Sequence, residues 1–160
     1  MTITVGDKLP AAEFTVMGAD GQTKLSADMV FSGRKVVLIG IPGAFTPTCS
    51  GNHLPGYLKN YDAIKEKGVD TIACTAVNDV HVMNAWSKAT GADGKILMLA
   101  DGNGDFARAL GLDLDLSAAG MGTRTRRYSM VVEDGTVTKL NVEEKAGLTC
   151  SAAENILEEL

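Results

Sequence analysis

Apolar positions along the chain fall into short continuous runs and into runs with helical spacing. The continuous runs Val36 to Ile41, Val69 to Val77 and Ile96 to Ala100 are typical of buried strands. Between the first two runs, apolar residues recur at helical spacing and stop near Gly68: Leu54, Tyr57, Leu58, Tyr61 and Ile64. Pro55 lies inside this pattern, so we expect the helix to bend there or to lose a turn.

Polar and glycine residues predict further helices. Asn78 and Asp79 offer an N-cap to a helix that closes near Gly91, and a short helix is predicted over Asp105 to Leu110.

Alternating residues around short turns predict two antiparallel hairpins. Glu13 to Met17 pairs with Lys24 to Leu25, and Tyr128 to Val132 pairs with Thr136 to Leu140.

A last helix is predicted at the C-terminal end. Ser151 and Glu154 have the spacing of a capping box, and Ile156, Leu157 and Leu160 would then face the core.

A cysteine stands between the first core strand and the helix that follows it. Pro42 and Gly43 end the strand, and helix-starting residues flank Cys49, which therefore falls in or just before the first helical turn. Unpaired N–H groups and the helix dipole favour an anion there, and the thiolate is the nucleophilic form of cysteine. Most free cysteines are small buried hydrophobes, but this position favours a reactive Cys49.

The predicted order of elements is β-α-β-α-β-α-β-β-α, with Cys49 after the first core strand. This order is that of a thioredoxin-like α/β sandwich, in which helices flank a central mixed β-sheet. We expect a single domain over residues 1–160. Thr46 stands where a CxxC pair would have its first cysteine, so simple dithiol exchange is not expected.

Pro42, Thr46 and Cys49 form the pattern PxxxTxxC within the stretch PGAFTPTCSGNHLPG. This stretch resembles the peroxidatic signature of the peroxiredoxins, and in particular of their type II, or peroxiredoxin-5-like, branch. The resemblance continues in collinear order over nearly the whole chain, through Val77 to Trp86, Leu99 to Leu116, Gly122 to Gly135 and Gly147 to Leu157. It implies the thioredoxin-like fold and a thiol-dependent peroxidase that reduces hydrogen peroxide and small organic (alkyl) hydroperoxides.

The resemblance also implies a role for each residue of the signature. Cys49 attacks one peroxide oxygen and becomes a sulfenic acid. The Thr46 hydroxyl holds both oxygens in line, and Pro42 shields the pocket. Arg127, which is charged at any working pH, stabilises the charge on the departing oxygen together with backbone N–H groups near Cys49.

The other arginines of the basic cluster are expected to do something else. Strand parity places Arg124 and Arg126 on one face and Arg127 on the other. For Arg124 and Arg126 we expect a solvated surface or an ion pair.

Three routes are open for reducing the sulfenic acid. Cys150 resembles the resolving cysteine of animal peroxiredoxin-5 enzymes, and we favour it, with thioredoxin as the external reductant. Cys74 has the spacing of the second cysteine in plant type II enzymes, but its surroundings, TIACTAV, are those of a packed strand. In the third route neither cysteine reacts with the sulfenic acid, and glutathione or a glutaredoxin attacks the oxidised Cys49 directly.

The two histidines are candidates for a metal site only together with cysteines. The candidate ligands would be Cys49, His53, Cys74 and His81. No CxxC or HxxxH pair is found among them, so we expect no metal and no other cofactor. His53 is expected to line the pocket or to bond to backbone, and His81 to lie on the surface.

Composition limits the partners. With 160 residues, a formal charge of -5 and a pI near 5.0, the chain is not expected to bind nucleic acid or anionic membranes broadly. Three cysteines and the lack of a signal-type or membrane-spanning run predict a cytoplasmic protein with reduced thiols. Family resemblance implies a homodimer.

A second functional class stays open at this point. A redox sensor of the same fold would use oxidation of Cys49 to signal through a partner, with little turnover.

Overall fold

The computed structural model describes residues 2–145 and 147–160. The strands are β1 Glu13–Gly18, β2 Gly21–Ser26, β3 Lys35–Gly40, β4 Thr71–Ala76, β5 Leu97–Ala100, β6 Asp113–Asp115, β7 Thr123–Thr125, β8 Tyr128–Glu133 and β9 Thr136–Val142. The α-helices are α1 Ala27–Phe31, α2 Leu54–Lys59, α3 Tyr61–Glu66, α4 Val80–Thr90, α5 Asp105–Leu110 and α6 Ala153–Glu159. A π-turn spans Cys49–His53, and a 3₁₀ helix spans Ser117–Ala119.

The main sheet has seven strands in the order β2-β1-β5-β4-β3-β8-β9. Strands β3, β4 and β5 run parallel, whereas β1 and β8 pair antiparallel with the two sides of this group. The sheet is therefore mixed, as predicted, and β3 lies in its interior between β4 and β8, directly before the segment that carries Cys49. Strands β6 and β7 form a separate two-stranded sheet.

Strand β3 is apolar and fully buried from Val36 to Ile39 because both of its faces are covered. Val37 and Ile39 belong to one buried cluster, together with residues of α2, α3, α4 and α6. Val36 and Leu38 belong to a second cluster on the opposite face, with residues of α1 and α5. Adjacent side chains of a strand point to opposite faces, which explains the division.

Local polar signals fix several helix ends as predicted. Asp79 caps α4, since its carboxylate accepts from the backbone N–H groups of His81 and Val82. Gly91 closes the same helix in the left-handed conformation, with φ of 78°.

The predicted capping box of the last helix is wrong. The N-cap of α6 is Ala152, and no side chain caps it. The hydroxyl of Ser151 instead donates to the carboxylate of Glu143 at 2.8 Å, because the preceding loop brings that acceptor close.

The predicted helix between the first two core strands is divided. The π-turn precedes Pro55, and the chain breaks again at Asn60 between α2 and α3. The short elements α1, β6 and β7 were not predicted from the sequence. None of the helices in the described part of the chain is long and apolar enough to cross a membrane.

Candidate active site

Cys49 lies in the first turn after the loop that leaves β3. Helical backbone begins at Pro47, and the N–H of Ser50 donates to the carbonyl of Thr46 at 2.9 Å. Proline is well suited to the first helical position, because its missing N–H would have no partner there. The N–H groups of Thr48 and Cys49 are therefore among the first-turn donors that a helix leaves without an intrahelical acceptor.

The helix then widens into a π-turn. The N–H of Leu54 donates to the carbonyl of Cys49, five residues back, instead of to the carbonyl four residues back. The wider turn comes just before Pro55, which has no N–H to continue the regular pattern. Cys49 and His53, at the two ends of the turn, are both fully buried on the same side.

Arg127 contacts both of these side chains. Its Nη2 donates to Cys49 Sγ at 3.1 Å, and its Nη1 lies 2.9 Å from His53 Nδ1. The arginine is 7% exposed, and in the described residues no carboxylate lies within 4.0 Å of its guanidinium. A buried cation needs polar or charged partners, and Cys49 Sγ and His53 Nδ1 are the two side-chain atoms that its guanidinium contacts.

His53 is neutral in this site. Burial, followed by the nearby Arg127 charge, lowers the pKa of His53 to about 4. Because Arg127 donates to Nδ1, the proton of the neutral ring is on Nε2, which then donates to the carbonyl of Ser151 at 3.1 Å. This tautomer orients Arg127 toward the sulfur.

Thr46 and Pro42 line a cavity that Arg127 also lines. The cavity measures about 460 Å³. The Thr46 hydroxyl donates to the carbonyl of Gly43 at 2.7 Å, which leaves its oxygen able to accept from a bound molecule. Apolar walls come from Leu114, Leu116 and Met121.

Arg124 differs from its expected role on a solvated surface or in an ion pair. Its Nε donates to the carbonyl of Met121 at 2.9 Å, and its Nη1 donates to the carbonyl of Pro42 at 3.3 Å. Arg124 lies on β7, and the carbonyl of Pro42 is within reach of its guanidinium. Arg124 therefore holds the loop that contains Pro42 in place. Arg126 lines the cavity beside Arg127 and is half-buried.

The remaining cysteines occupy different environments. Cys74 lies on β4, pairs in register with Ile39 and is fully buried. Burial, and then the charge of Cys49, raises the pKa of the Cys74 thiol well above its ordinary value, so it is a poor nucleophile where it lies. Cys150 is half-buried, and its thiol lies 3.5 Å from the carbonyl of Val142.

Three functional neighbours were missed from the sequence: Tyr57, Glu143 and Ser151. The Tyr57 hydroxyl donates to the same Ser151 carbonyl as His53, at 2.8 Å. The Glu143 carboxylate binds the segment that contains Ser151. Helical spacing marks Tyr57 as buried, but nothing in the sequence separates Glu143 from the neighbouring Glu144. His81, as expected, is exposed.

Comparison with known proteins gives the family. The redoxin family profile matches residues 4–157. The chain is 48% identical over 164 residues to "Peroxiredoxin-2E-2, chloroplastic" of Oryza sativa subsp. japonica, covering 99% of this chain and 73% of the rice protein.

Solved structures agree with the sequence match. Reduced Prx3 from Vibrio vulnificus in complex with hydrogen peroxide superposes with a TM-score of 0.95 at 46% identity, over 99% of each chain. Peroxiredoxin 5 from Alvinella pompejana gives a TM-score of 0.86 at 38% identity, over 98% of this chain and 96% of that one. The predicted thioredoxin-like fold and the peroxiredoxin resemblance are confirmed, and this chain belongs to the peroxiredoxin family of thiol-dependent peroxidases.

Proposed function

We propose that Cys49 is the peroxidatic cysteine of this peroxidase and that Thr46, Arg127 and Pro42 complete its active site. The observation that carries the proposal is the 3.1 Å contact between Arg127 Nη2 and Cys49 Sγ, made by a buried arginine with no carboxylate partner among the described residues. A thiolate in that position is both the counter-ion of the arginine and the nucleophile.

The reaction begins with attack of the Cys49 thiolate on one oxygen of the hydroperoxide. The S–O bond forms as the O–O bond breaks, and the departing oxygen takes a proton and leaves as water or an alcohol. Thr46 Oγ1, whose own proton is donated to Gly43, accepts from the peroxide O–H and holds the molecule in line. Arg127 and the first-turn N–H groups of Thr48 and Cys49 stabilise the negative charge that develops on the departing oxygen.

The shape of the cavity supports hydrogen peroxide and small alkyl hydroperoxides as substrates. Thr46 and Arg127 in its lining supply partners for the two oxygens, while the side chains of Leu114, Leu116 and Met121 suit a short alkyl group.

Recycling through Cys150, with thioredoxin as the reductant, is part of the same proposal. Cys74, or direct attack by glutathione or a glutaredoxin, is the alternative. The raised pKa of the fully buried Cys74 thiol supports Cys150 over Cys74. A homodimer and a cytoplasmic location stay predictions.

Steady-state turnover tests the proposal. We expect the protein to reduce hydrogen peroxide catalytically with dithiothreitol or a thioredoxin system, and Cys49→Ser to abolish that activity. Cys74→Ala is the matched control, which loses a cysteine and keeps turnover. A slow reaction that stops after one equivalent would contradict the proposal and favour a redox sensor.

A further inference from the structure

The carboxylate of Glu143, which is only 6% exposed, binds the segment that carries Cys150. Its Oε1 accepts from the backbone N–H of Thr149 at 2.7 Å, from the N–H of Ser151 at 2.9 Å and from the Ser151 hydroxyl at 2.8 Å. Its Oε2 accepts from the Thr149 hydroxyl at 2.5 Å. Both neighbours of Cys150 are thus bound to one side chain.

The other side of the same segment is bound to the active site. The Ser151 carbonyl accepts from His53 Nε2 at 3.1 Å and from the Tyr57 hydroxyl at 2.8 Å. Glu143 itself is fixed beside Arg127, because its backbone N–H donates to the Arg127 carbonyl at 2.9 Å. Residues 149–151 are therefore held between the end of β9 and the helix that carries His53.

In this position the Cys150 thiol lies 3.5 Å from the carbonyl of Val142, whereas Cys49 Sγ contacts Arg127 at 3.1 Å. The Cys150 thiol lines a cavity with Val142, Thr149 and residues 143–145, to which neither Cys49 nor Arg127 contributes. Cys49 is fully buried beneath Arg127, and the structure holds both thiols free. Joining the two sulfurs requires residues 149–151 to leave Glu143.

We propose that Glu143 is a positioning residue that clamps residues 149–151 and so controls when Cys150 can reach Cys49. The inference rests on the proposed function, in which Cys150 resolves the oxidised Cys49. When the clamp opens, the Cys150 thiolate attacks the sulfur of the Cys49 sulfenic acid. An S–S bond forms, the S–O bond breaks, and the hydroxide that leaves is protonated to water.

The chemistry of the carboxylate suits a clamp. Burial alone would raise the pKa of Glu143, but the hydrogen bonds from Thr149 and Ser151 outweigh it and lower that pKa to about 2. The group is therefore charged at working pH, and hydrogen bonds to a charged acceptor are about twice as strong as neutral ones. Burial and the Glu143 charge also raise the pKa of the Cys150 thiol, which keeps it protonated while the clamp is closed.

Two substitutions of Glu143 separate the clamp from the charge. Glu143→Gln removes the charge but can keep all four partners, since its amide oxygen accepts at Oε1 and its NH₂ can donate to the Thr149 hydroxyl. Glu143→Ala removes both charge and partners. Glu66→Ala is the control, because it removes an exposed glutamate on α3 that lines neither the cavity of Cys150 nor that of Arg127.

The first measurement is the rate of Cys49–Cys150 disulfide formation after one equivalent of hydrogen peroxide, by rapid quenching and peptide mass spectrometry. Losing the net stabilisation of even one hydrogen bond to a charged group changes an opening equilibrium about tenfold. We expect Glu143→Ala to form the disulfide at least about tenfold faster than wild type, with Glu143→Gln between them and Glu66→Ala unchanged. Equal rates in Glu143→Ala and wild type would overturn the proposal.

The second measurement is the alkylation rate of Cys150 by a maleimide in the reduced proteins. Glu143→Ala and Glu143→Gln lose the same charge, so a faster reaction in the alanine variant reports release of the segment and not a change in thiol acidity. Equal rates in these two variants would contradict the clamp. Faster alkylation without any Cys49–Cys150 disulfide would overturn the resolving role of Cys150, and with it the role of the Glu143 clamp. A wild-type protein in which peroxide leaves Cys49 unoxidised would instead refute the proposed function.

Discussion

Arg127 offers the sharpest perturbation of the site, because one guanidinium contacts both the sulfur and His53. Its two contacts, 3.1 Å to Cys49 Sγ and 2.9 Å to His53 Nδ1, use two nitrogens of one planar fork. A lysine at this position would keep the charge but could not reproduce the fork, and a glutamine would remove the charge as well.

The magnitude follows from the number of donors lost. Removing one fixed donor to a developing oxyanion costs about 2.7–4 kcal/mol, or roughly 10²–10³ in rate. We therefore expect Arg127→Gln to lower the second-order rate constant for Cys49 oxidation by about 10²–10³. For Arg127→Lys we expect a loss of about 10–100-fold, because the charge stays while one contact is lost.

Stopped-flow fluorescence can follow this step without a label. Trp86 is the single tryptophan, and its Nε1 donates to Ser50 Oγ at 2.9 Å, next to Cys49. Arg34→Gln is the control, since Arg34 is an exposed arginine that directly precedes β3. If Arg127→Gln reacted within about twofold of wild type while Arg34→Gln behaved normally, the arginine could not be stabilising the reaction as described.

Three further predictions concern stability, pH and peroxide positioning. Gly40→Ala should lower the free energy of unfolding by about 3 kcal/mol in denaturant titrations, because a Cβ there would lie 2.0 Å from the Tyr128 ring; an unchanged midpoint would contradict this. His53 has a pKa of about 4 when folded, so the unfolded state binds more protons between about pH 6.5 and 4. Stability should therefore fall by up to about 3 kcal/mol as the pH falls through that window, and His53→Gln should remove this part of the loss in parallel melts. Thr46→Val should lower kcat/KM for hydrogen peroxide by about 10²–10³ while Cys49 still reacts with iodoacetamide; equal losses in both reactions would mean that Thr46 acts on the thiol and not on the peroxide.

Local signals in the sequence were enough to predict β3 and several helix ends. Asp79 and Gly91 act within their own helix, and a capping carboxylate or a left-handed glycine needs no distant partner. The position of Cys49 in a first helical turn was predicted for the same reason, since Pro47 lies two residues before it.

The errors arise where a distant partner takes over a local signal. Ser151 and Glu154 have capping-box spacing, but Ser151 donates to Glu143, eight residues back. The π-turn likewise places Cys49 and His53 together against Arg127, which is 78 and 74 residues away. No window of neighbouring residues contains these contacts.

The candidate site shows the same division. The PxxxTxxC pattern and the family resemblance named Cys49, Thr46, Pro42 and Arg127. In the structure Thr46, Pro42 and Arg127 line one cavity, and Arg127 donates a hydrogen bond to Cys49 Sγ. The neutral tautomer of His53 depends on burial and on the Ser151 carbonyl, which are properties of the packed chain.

The central claim is that Cys49 is the thiolate that peroxide meets first. It is tested most directly by mixing the reduced protein with one equivalent of hydrogen peroxide, quenching within milliseconds and mapping the oxidised cysteine by peptide mass spectrometry. We predict that the first oxidised species carries sulfenic acid on Cys49, with Cys74 and Cys150 still reduced. Oxidation that appears first on Cys74 or Cys150, or that proceeds equally fast in Cys49→Ser, would contradict the account.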